Sequence, residues 1–476
     1  MDIDKGYVLA MIDARYDLDV LREAVRYAES LGASYAEARL HIYYYELLRA
    51  DNGVLKDYSI TRRAGVGVRV IYGRRLGFAS TNSLGREDLR EAVVNAISAA
   101  RATQDEVVLA DRGFIRGSRT SVYLKDPLLV PPEDKIRVVL ETNRAGLGVD
   151  GIKSAVTMMG IQRDVRAFIS SDADVSWSVT AVGISHTSVA GEAGSMERLH
   201  DSRSMVAGWE YIERYDWAGF AREVSETARK ALKATTPPPG KQRIIADPDL
   251  VGLILHEAFG HASEGDLVVS GTSILRGRIG EQVASDLVTV VESGDIEGGY
   301  LVPYDDEGTP KERTEIISRG VLKSYITDRA SAAKLGARPT GNGRAQDFES
   351  PPIVRQTNIY MEPRDWGFEE MVREAREGLY LLGRGSGGGQ VDTSRGTFTF
   401  SAGPSYVIRN GELGEMVKGV VISGYILETL KGVEAVGKDL VVRTSVFGGC
   451  GKDGQLVRVG DGGPHIMIRE IIVGGR

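Results

Sequence analysis

TTPPPGKQRIIADPDLVGLILHEAFGHASEGD, residues 235–266, decides how this chain divides and where its chemistry lies. Pro237, Pro238 and Pro239 lack backbone donors and Gly240 follows them, so the run reads as a linker. A boundary there makes residues 1–236 an N-terminal α+β domain and residues 237–476 a β-rich C-terminal domain. RIIAD then reads as a strand, Asp247 as a helix N-cap and Pro248 as the first helical residue, where a missing N–H does no harm. Leu250, Val251, Leu253, Ile254 and Leu255 make that helix apolar on nearly every side, so it is expected to be buried. His256, Glu257 and His261 at the end of a buried helix are expensive unless something satisfies them.

A metal would satisfy them. The pattern echoes H-E-x-x-H, in which two histidines one turn apart share a helix face and the glutamate is the base. Here it is H-E-x-x-x-H. On an ideal α-helix, residues five apart point roughly 140° away from each other, against about 40° for four apart. A shared metal therefore predicts that the helix leaves α geometry between Glu257 and His261, by stopping near Gly260 or by a π-bulge. Two histidines alone leave the third ligand open. Cys450, the single cysteine, lies between Gly449 and Gly451, where the backbone can approach a site closely; it is equally the kind of residue found as a small buried hydrophobe. His465, Glu264 and Asp266 are further candidates by residue type.

Outward from this stretch, composition narrows the function classes. A hydrophobic content of 42% and a charged content of 26% are ordinary for a soluble globular protein. The formal charge is −7 and no basic run could track a phosphate backbone, which disfavours nucleic acid as a main partner. No apolar run approaches the ~20 residues of a membrane span. The acidic start, MDIDKGYVLAMIDARYD, lacks the layout of a signal peptide. One cysteine forms no intrachain disulfide, and a cytoplasmic location is expected. Glycine is frequent, 58 of 476 residues, with only 15 prolines, so tight turns or close backbone approach to a ligand are expected rather than disorder.

Before the linker, Asp17 or Asp19 caps a helix ending at Leu31, and Arg86–Thr103, Glu133–Ala145 and Trp217–Lys233 read as further helices. ARLHIYYYELLRAD and VLKDYSITRR read as strands joined by an Asn52-Gly53 turn, and AGVGVRVIYGRRLGFASTN as another hairpin turning near Gly73. Residues 154–192 alternate polar and apolar, the pattern of two or three antiparallel strands. Elements mixed without strict alternation indicate α+β. His41, His186 and His200 are read as facing solvent or the flank of a sheet rather than a metal, His41 packing within its tyrosine-rich strand. After the linker, ILRGRIGEQVASDLVTVVESG reads as strands. Asp305, Asp306 and Glu307 form either a cation or amine site or a solvated turn. Arg344 meets a substrate carboxylate or a surface acid. The glycine-rich run from Gly383 has no phosphate-loop pattern and reads as strand turns.

HEAFGHASEGD, DDEGTP, PTGNGR, GGGQVD and above all GGCGKDGQ resemble the TldD branch of the TldD/PmbA family of zinc metalloproteases. GASYAEARL and GVGVRVIYGRRLGF extend the resemblance into the first half, in the family's order. The resemblance implies a cytoplasmic metalloprotease with a two-domain α+β subunit, its N-terminal antiparallel sheet carrying helices and its glycine-rich C-terminal domain carrying the metal helix. It implies a dimer, either a homodimer or a heterodimer with a PmbA/TldE-type subunit. His256, His261 and Cys450 then stand at the metal-ligand positions and Glu257 at the catalytic one. AQDFESPPIVRQTN departs from the more basic run expected after GNGR, which bears on substrate contacts.

With those ligands, a Zn2+ ion keeps a fourth position for water and lowers its pKa towards ~7, and Glu257 takes the water's proton. Flexible peptides or unfolded polypeptides are the expected substrates, held along glycine-rich strands. The rival reading is a non-catalytic partner or modulator protein with a structural metal site.

Overall fold

The computed structural model describes residues 18–385 and 388–475. Asp17, the acidic N-terminal segment, and Ser386 and Gly387 of the glycine-rich run lie outside the described residues. The chain is α+β, as expected.

The first half is built on one sheet of seven strands: β1 (Tyr35–Asp51), β2 (Val54–Tyr72), β3 (Arg75–Thr81), β4 (Ile115–Thr120), β5 (Ile152–Ser170), β6 (Ala173–Glu192) and β7 (Ser195–Met205). Their order is β3-β2-β1-β5-β6-β4, with β7 also pairing with β6; only the β4–β6 pair is parallel. Asn52 and Gly53, both at positive φ, turn β1 into β2 as the Asn-Gly signal predicts, and Gly73 and Arg74 do the same before β3. VLKDYSITRR and AGVGVRVIY do not separate, however; they run on as the single strand β2. Gly65 is no turn residue. A Cβ there would sit 2.4 Å from the Phe348 ring, so the glycine admits a side chain of the second half against the strand.

The helices Asp19–Ser30, Arg86–Ala102, Pro132–Leu147 and Trp217–Ala231 match the four expected and cover one face of this sheet. Leu40, Ile42, Val66 and Val68 pack under the first two, and Leu48, Met159 and Ile161 under the last two. The strands alternate, so the opposite face carries Arg39, His41 and Tyr43 of β1, in register with Phe168, Arg166 and Asp164 of β5.

The second half holds a nine-stranded and a six-stranded sheet. Strand Gly240–Ala246 enters the larger one, antiparallel to Ile466–Gly475 and parallel to Gly378–Leu381. The helix that follows lies between the sheets. Leu250, Val251, Ile254, Leu255 and Phe259 share one core with Ile244, Ile468 and Phe400 of the larger sheet and Val290, Ile316 and Ile359 of the smaller. This accounts for a helix apolar on all sides. Of the strands expected within residues 274–294, only Val290–Ser293 forms, because Gly277 and Gly280 at positive φ break the run into turns. Short helices at Gly265–Ser270, Arg329–Leu335, Phe368–Ala375 and Ile426–Lys431 carry too few turns to show a helical period in sequence.

Both readings of Asp305, Asp306 and Glu307 fail. All three are buried; Asp306 and Glu307 meet protein cations and Asp305 meets backbone N–H groups, not solvent. Arg166 Nη1 binds Asp306 Oδ1 at 2.7 Å and Arg39 Nη1 lies 3.5 Å from it, while Arg69 Nη2 binds Glu307 Oε1 at 2.7 Å. Asp305 accepts the backbone N–H groups of Glu307, Thr309 and Gly343. The acid loop thus docks on the charged face of the first-half sheet.

Asp306→Asn leaves Arg39 and Arg166 short of a counter-charge and is expected to destabilise the protein by about 3–5 kcal/mol at neutral pH in denaturant titrations. Burial pushes the Asp306 carboxyl up, but Arg166 and Arg39 more than reverse this and hold it below the usual range. Its charge therefore stabilises the fold fully above the unfolded value of ~3.9, and that contribution fades as pH falls below it. The gap between wild type and variant should narrow in acid; a gap that widens there contradicts this account.

Candidate metal centre

The helix starts as the sequence predicts, with the Asp247 side chain accepting from the Leu250 N–H at 2.8 Å and Pro248 at the first position. After Leu253 it changes. Ile254–Gly260 is a π-helical segment and His261–Ser263 a 3₁₀ turn, so the departure from α geometry expected between Glu257 and His261 is present but begins earlier, at Ile254, and runs through Ser263. Hydrogen bonds spanning five residues bring residues five apart towards one face. The two imidazole rings consequently face each other edge-on, 5.2 Å between centroids and 86° between planes.

Cys450 reaches the same point from the C-terminal hairpin, where Cys450–Lys452 pairs with Gln455–Val457. One donor atom each from His256, His261 and Cys450 lies within 4.8 Å of the others, and Cys450 Sγ is 3.4 Å from His261 Nε2. Donors around tetrahedral zinc stand roughly 3.5 Å apart, given bonds of about 2.0–2.3 Å. The triad needs to tighten by about an ångström to hold such an ion. His256 Nδ1 is buried without a hydrogen-bond partner, a second sign that the site fits a cation.

The backbone around the triad is clamped. Gln356 Nε2 donates to the His256 carbonyl at 3.1 Å and the buried Arg355 guanidinium to the Cys450 carbonyl. Gly260 leaves room for this glutamine, since a Cβ there would fall 2.1 Å from Gln356 Oε1. His261 Nδ1 meets the buried Glu264 Oε1 at 3.2 Å, and Lys452 Nζ in turn binds Glu264 Oε2 at 2.9 Å and Asp266 Oδ2 at 2.6 Å. Glu264 and Asp266, candidate ligands by type, are instead partners of His261 and Lys452.

The remaining histidines lie elsewhere. His465 is held by Asp439 and Tyr380. Thr157 and Ser188 satisfy His186, which burial pushes down to about 4. His41 Nε2 lies 3.2 Å from Asp164 without hydrogen-bond alignment. His200 binds Thr187 and lines the cleft described next.

A cleft of about 370 Å³ opens beside the triad, lined by His256, Glu257 and Cys450 together with Asp461, Arg443 and the glycines Gly448 and Gly449. Glu257 is half-buried there, beside a ligand but outside the triad. Asp461 was not singled out from sequence; no motif marks it. Burial, with Asp249 and Glu257 nearby, lifts its carboxyl to about 6 despite His256. Lys452 was also missed, although its place two residues after Cys450, on the same face of the hairpin strand, was a usable signal.

Electrostatics within the triad is that of an ion pair. Burial pushes the Cys450 thiol up, but hydrogen bonds with His256 and His261 outweigh it and bring it down to about 5. Burial lowers His261, and Cys450 with Glu264 reverse this to about 10. The metal-stripped protein should therefore carry thiolate absorbance at neutral pH that disappears on acidification with a midpoint near about 5, and that Cys450→Ser lacks altogether. An absorbance that develops only above pH ~8, as for a free thiol, would refute the assignment.

Three family models match the chain in sequence order: PmbA/TldA metallopeptidase domain 1 over residues 36–100, the central domain over 125–232 and the C-terminal domain over 239–475. A metalloprotease of Methanothermobacter thermautotrophicus is 38% identical over 89% of this chain and 92% of its own length. A zinc metalloprotease TldD homolog of Saccharolobus solfataricus is 28% identical over 95% of this chain and 99% of its own. The crystal structure of TldE from Thermococcus kodakarensis superposes with a TM-score of 0.78 at 19% identity, over 96% of this chain and all of that one, which establishes a shared fold. Profile matches across both halves and the archaeal identity together show that this chain belongs to the PmbA/TldA metallopeptidase family, with metalloproteases of the TldD type among its relatives.

Proposed function

We propose that this chain is a zinc-dependent metalloprotease that hydrolyses peptide bonds in flexible or unfolded polypeptides. The observation that carries the reading is the convergence of His256, His261 and Cys450, the first and last of which line a cleft that also presents Glu257. These three side chains would hold the Zn2+. When bound, the ion supplies a Lewis acid that polarises the scissile carbonyl and acidifies water.

The chain's own residues do the rest. A Glu257 carboxylate oxygen takes the proton of the attacking water and delivers it to the nitrogen of the leaving amine. Glu264 keeps its oxygen on His261 Nδ1, fixing the ring so that Nε2 points to the cysteine side. Gly383, Gly448 and Gly449 line the cleft without side chains, and this supports a substrate lying extended against the backbone. The same reading makes residues 1–236 and 237–476 the two domains, and places the protein in the cytoplasm as a dimer with itself or with a PmbA/TldE-type subunit. Among the described residues no helix is long and apolar enough to cross a membrane, and Cys450 is free.

Glu257→Gln should retain zinc and lose peptide cleavage by about 10²–10⁴-fold, measured on an unstructured peptide alongside metal content. Cleavage that survives while zinc stays bound removes Glu257 from the mechanism. Glu264→Ala should weaken zinc affinity about 10–100-fold in chelator competition, with the fold intact by circular dichroism. Global unfolding on zinc removal would instead favour a structural metal site in a non-catalytic partner protein.

A further inference from the structure

A second cavity, of about 340 Å³, opens between the charged face of the first-half sheet and the acid loop, and contains none of His256, Glu257, His261 or Cys450. Tyr43, Trp177, Tyr300 and Tyr304 contribute aromatic walls, and Arg344 and Arg458 line it as well.

Charge is unbalanced there. Each acid that lines the cavity already has a partner: Asp164 lies 3.0 Å from Arg166, Asp306 2.7 Å from Arg166, and Asp347 2.9 Å from Arg63. Arg344 and Arg458 have no carboxylate within 4 Å among the described residues. Arg344 is only 6% exposed and donates to two backbone carbonyls, of Gln356 and Arg458. Arg458 donates to Gln162 Oε1 at 2.8 Å, to the Gly448 carbonyl and to the Tyr43 hydroxyl. A guanidinium has five N–H donors, so both keep donors to spare. Burial, only partly offset by Asp306, brings Arg344 down to about 10, as expected for a cation without an anion. Buried charge of this kind is costly unless something completes it.

We propose that this cavity binds the carboxylate of a small organic acid bearing an aromatic or apolar group, the chemistry of a peptide's C-terminal residue. Arg344 and Arg458 take the carboxylate, which matches the planar guanidinium fork. Tyr43, Trp177 and Tyr300 take the apolar part. A monoanion suits the site better than a phosphate dianion, because Asp164 and Asp306 stand in the same wall. The site goes beyond peptide hydrolysis and does not depend on it.

Calorimetry on the full chain carrying Glu257→Gln, which cannot consume the probe, tests this with N-acetyl-phenylalanine, its C-terminal amide and inorganic phosphate. The acid should bind at least ~10-fold more tightly than the amide or phosphate, a factor typical of one lost charge-assisted contact. Arg458→Gln should weaken the acid by about that factor and leave the amide unchanged. Arg344→Lys, which keeps the charge but not the fork, should do the same; should that variant fail to fold, Arg458→Gln and the acid-to-amide ratio decide. Binding should persist after zinc is chelated. Equal binding of acid and amide, preference for phosphate, indifference to Arg458→Gln, or loss of binding with the metal would each overturn the proposal. Failure of the metalloprotease reading would leave all these results standing.

Discussion

The structure depends on an ionic joint between its halves. Arg39, Arg69 and Arg166 project from three adjacent strands of the first sheet into Asp306 and Glu307 of a loop that belongs to the second half. Buried pairs of this sort add little net stability, because desolvation offsets most of the attraction, but a mismatch is severe. They therefore serve register more than strength. The joint also reaches the metal centre by short steps. Asp305 and Asp306 accept the N–H groups of Gly343 and Ala345; the Asn342 carbonyl accepts from the Arg355 N–H while its side-chain amide donates to the Arg355 carbonyl; Arg355 and Gln356 hold the Cys450 and His256 carbonyls. Seating the loop on the sheet thus sets the backbone on which two of the three donors stand.

Local chemistry was legible in the sequence and distant charge was not. Asn52-Gly53 names its own turn, Asp247 and Pro248 name the helix start, and apolar residues all round the helix announce burial between two layers. The off-spacing of His256 and His261 predicted a departure from α geometry, since no α-helix brings those rings together, but not that it would begin at Ile254. Cys450 stood out through its glycine neighbours. The acid loop was misread because its partners lie far away in sequence, Arg166 being 140 residues from Asp306, and no pattern within the loop distinguishes an acid facing arginine from one facing water. The place of Gly65 was equally hidden, being set by Phe348 from the second half of the chain. Glu264 carried the right type for a ligand and took the adjoining role, which only the position of Lys452 reveals.

The π-helical segment has a consequence for the core. One extra residue in a helix rotates everything after it by about 100° relative to an α-helix. A surface helix would lose its apolar stripe by such a shift, its buried residues swinging towards water. This helix meets water only where Leu253 and Glu257 line the cleft. Between the two sheets, Ala258 and Phe259 remain buried. The two-sheet sandwich is therefore what makes the insertion tolerable, and the unusual histidine spacing belongs to a helix with apolar walls on every side but the one that opens to the cleft.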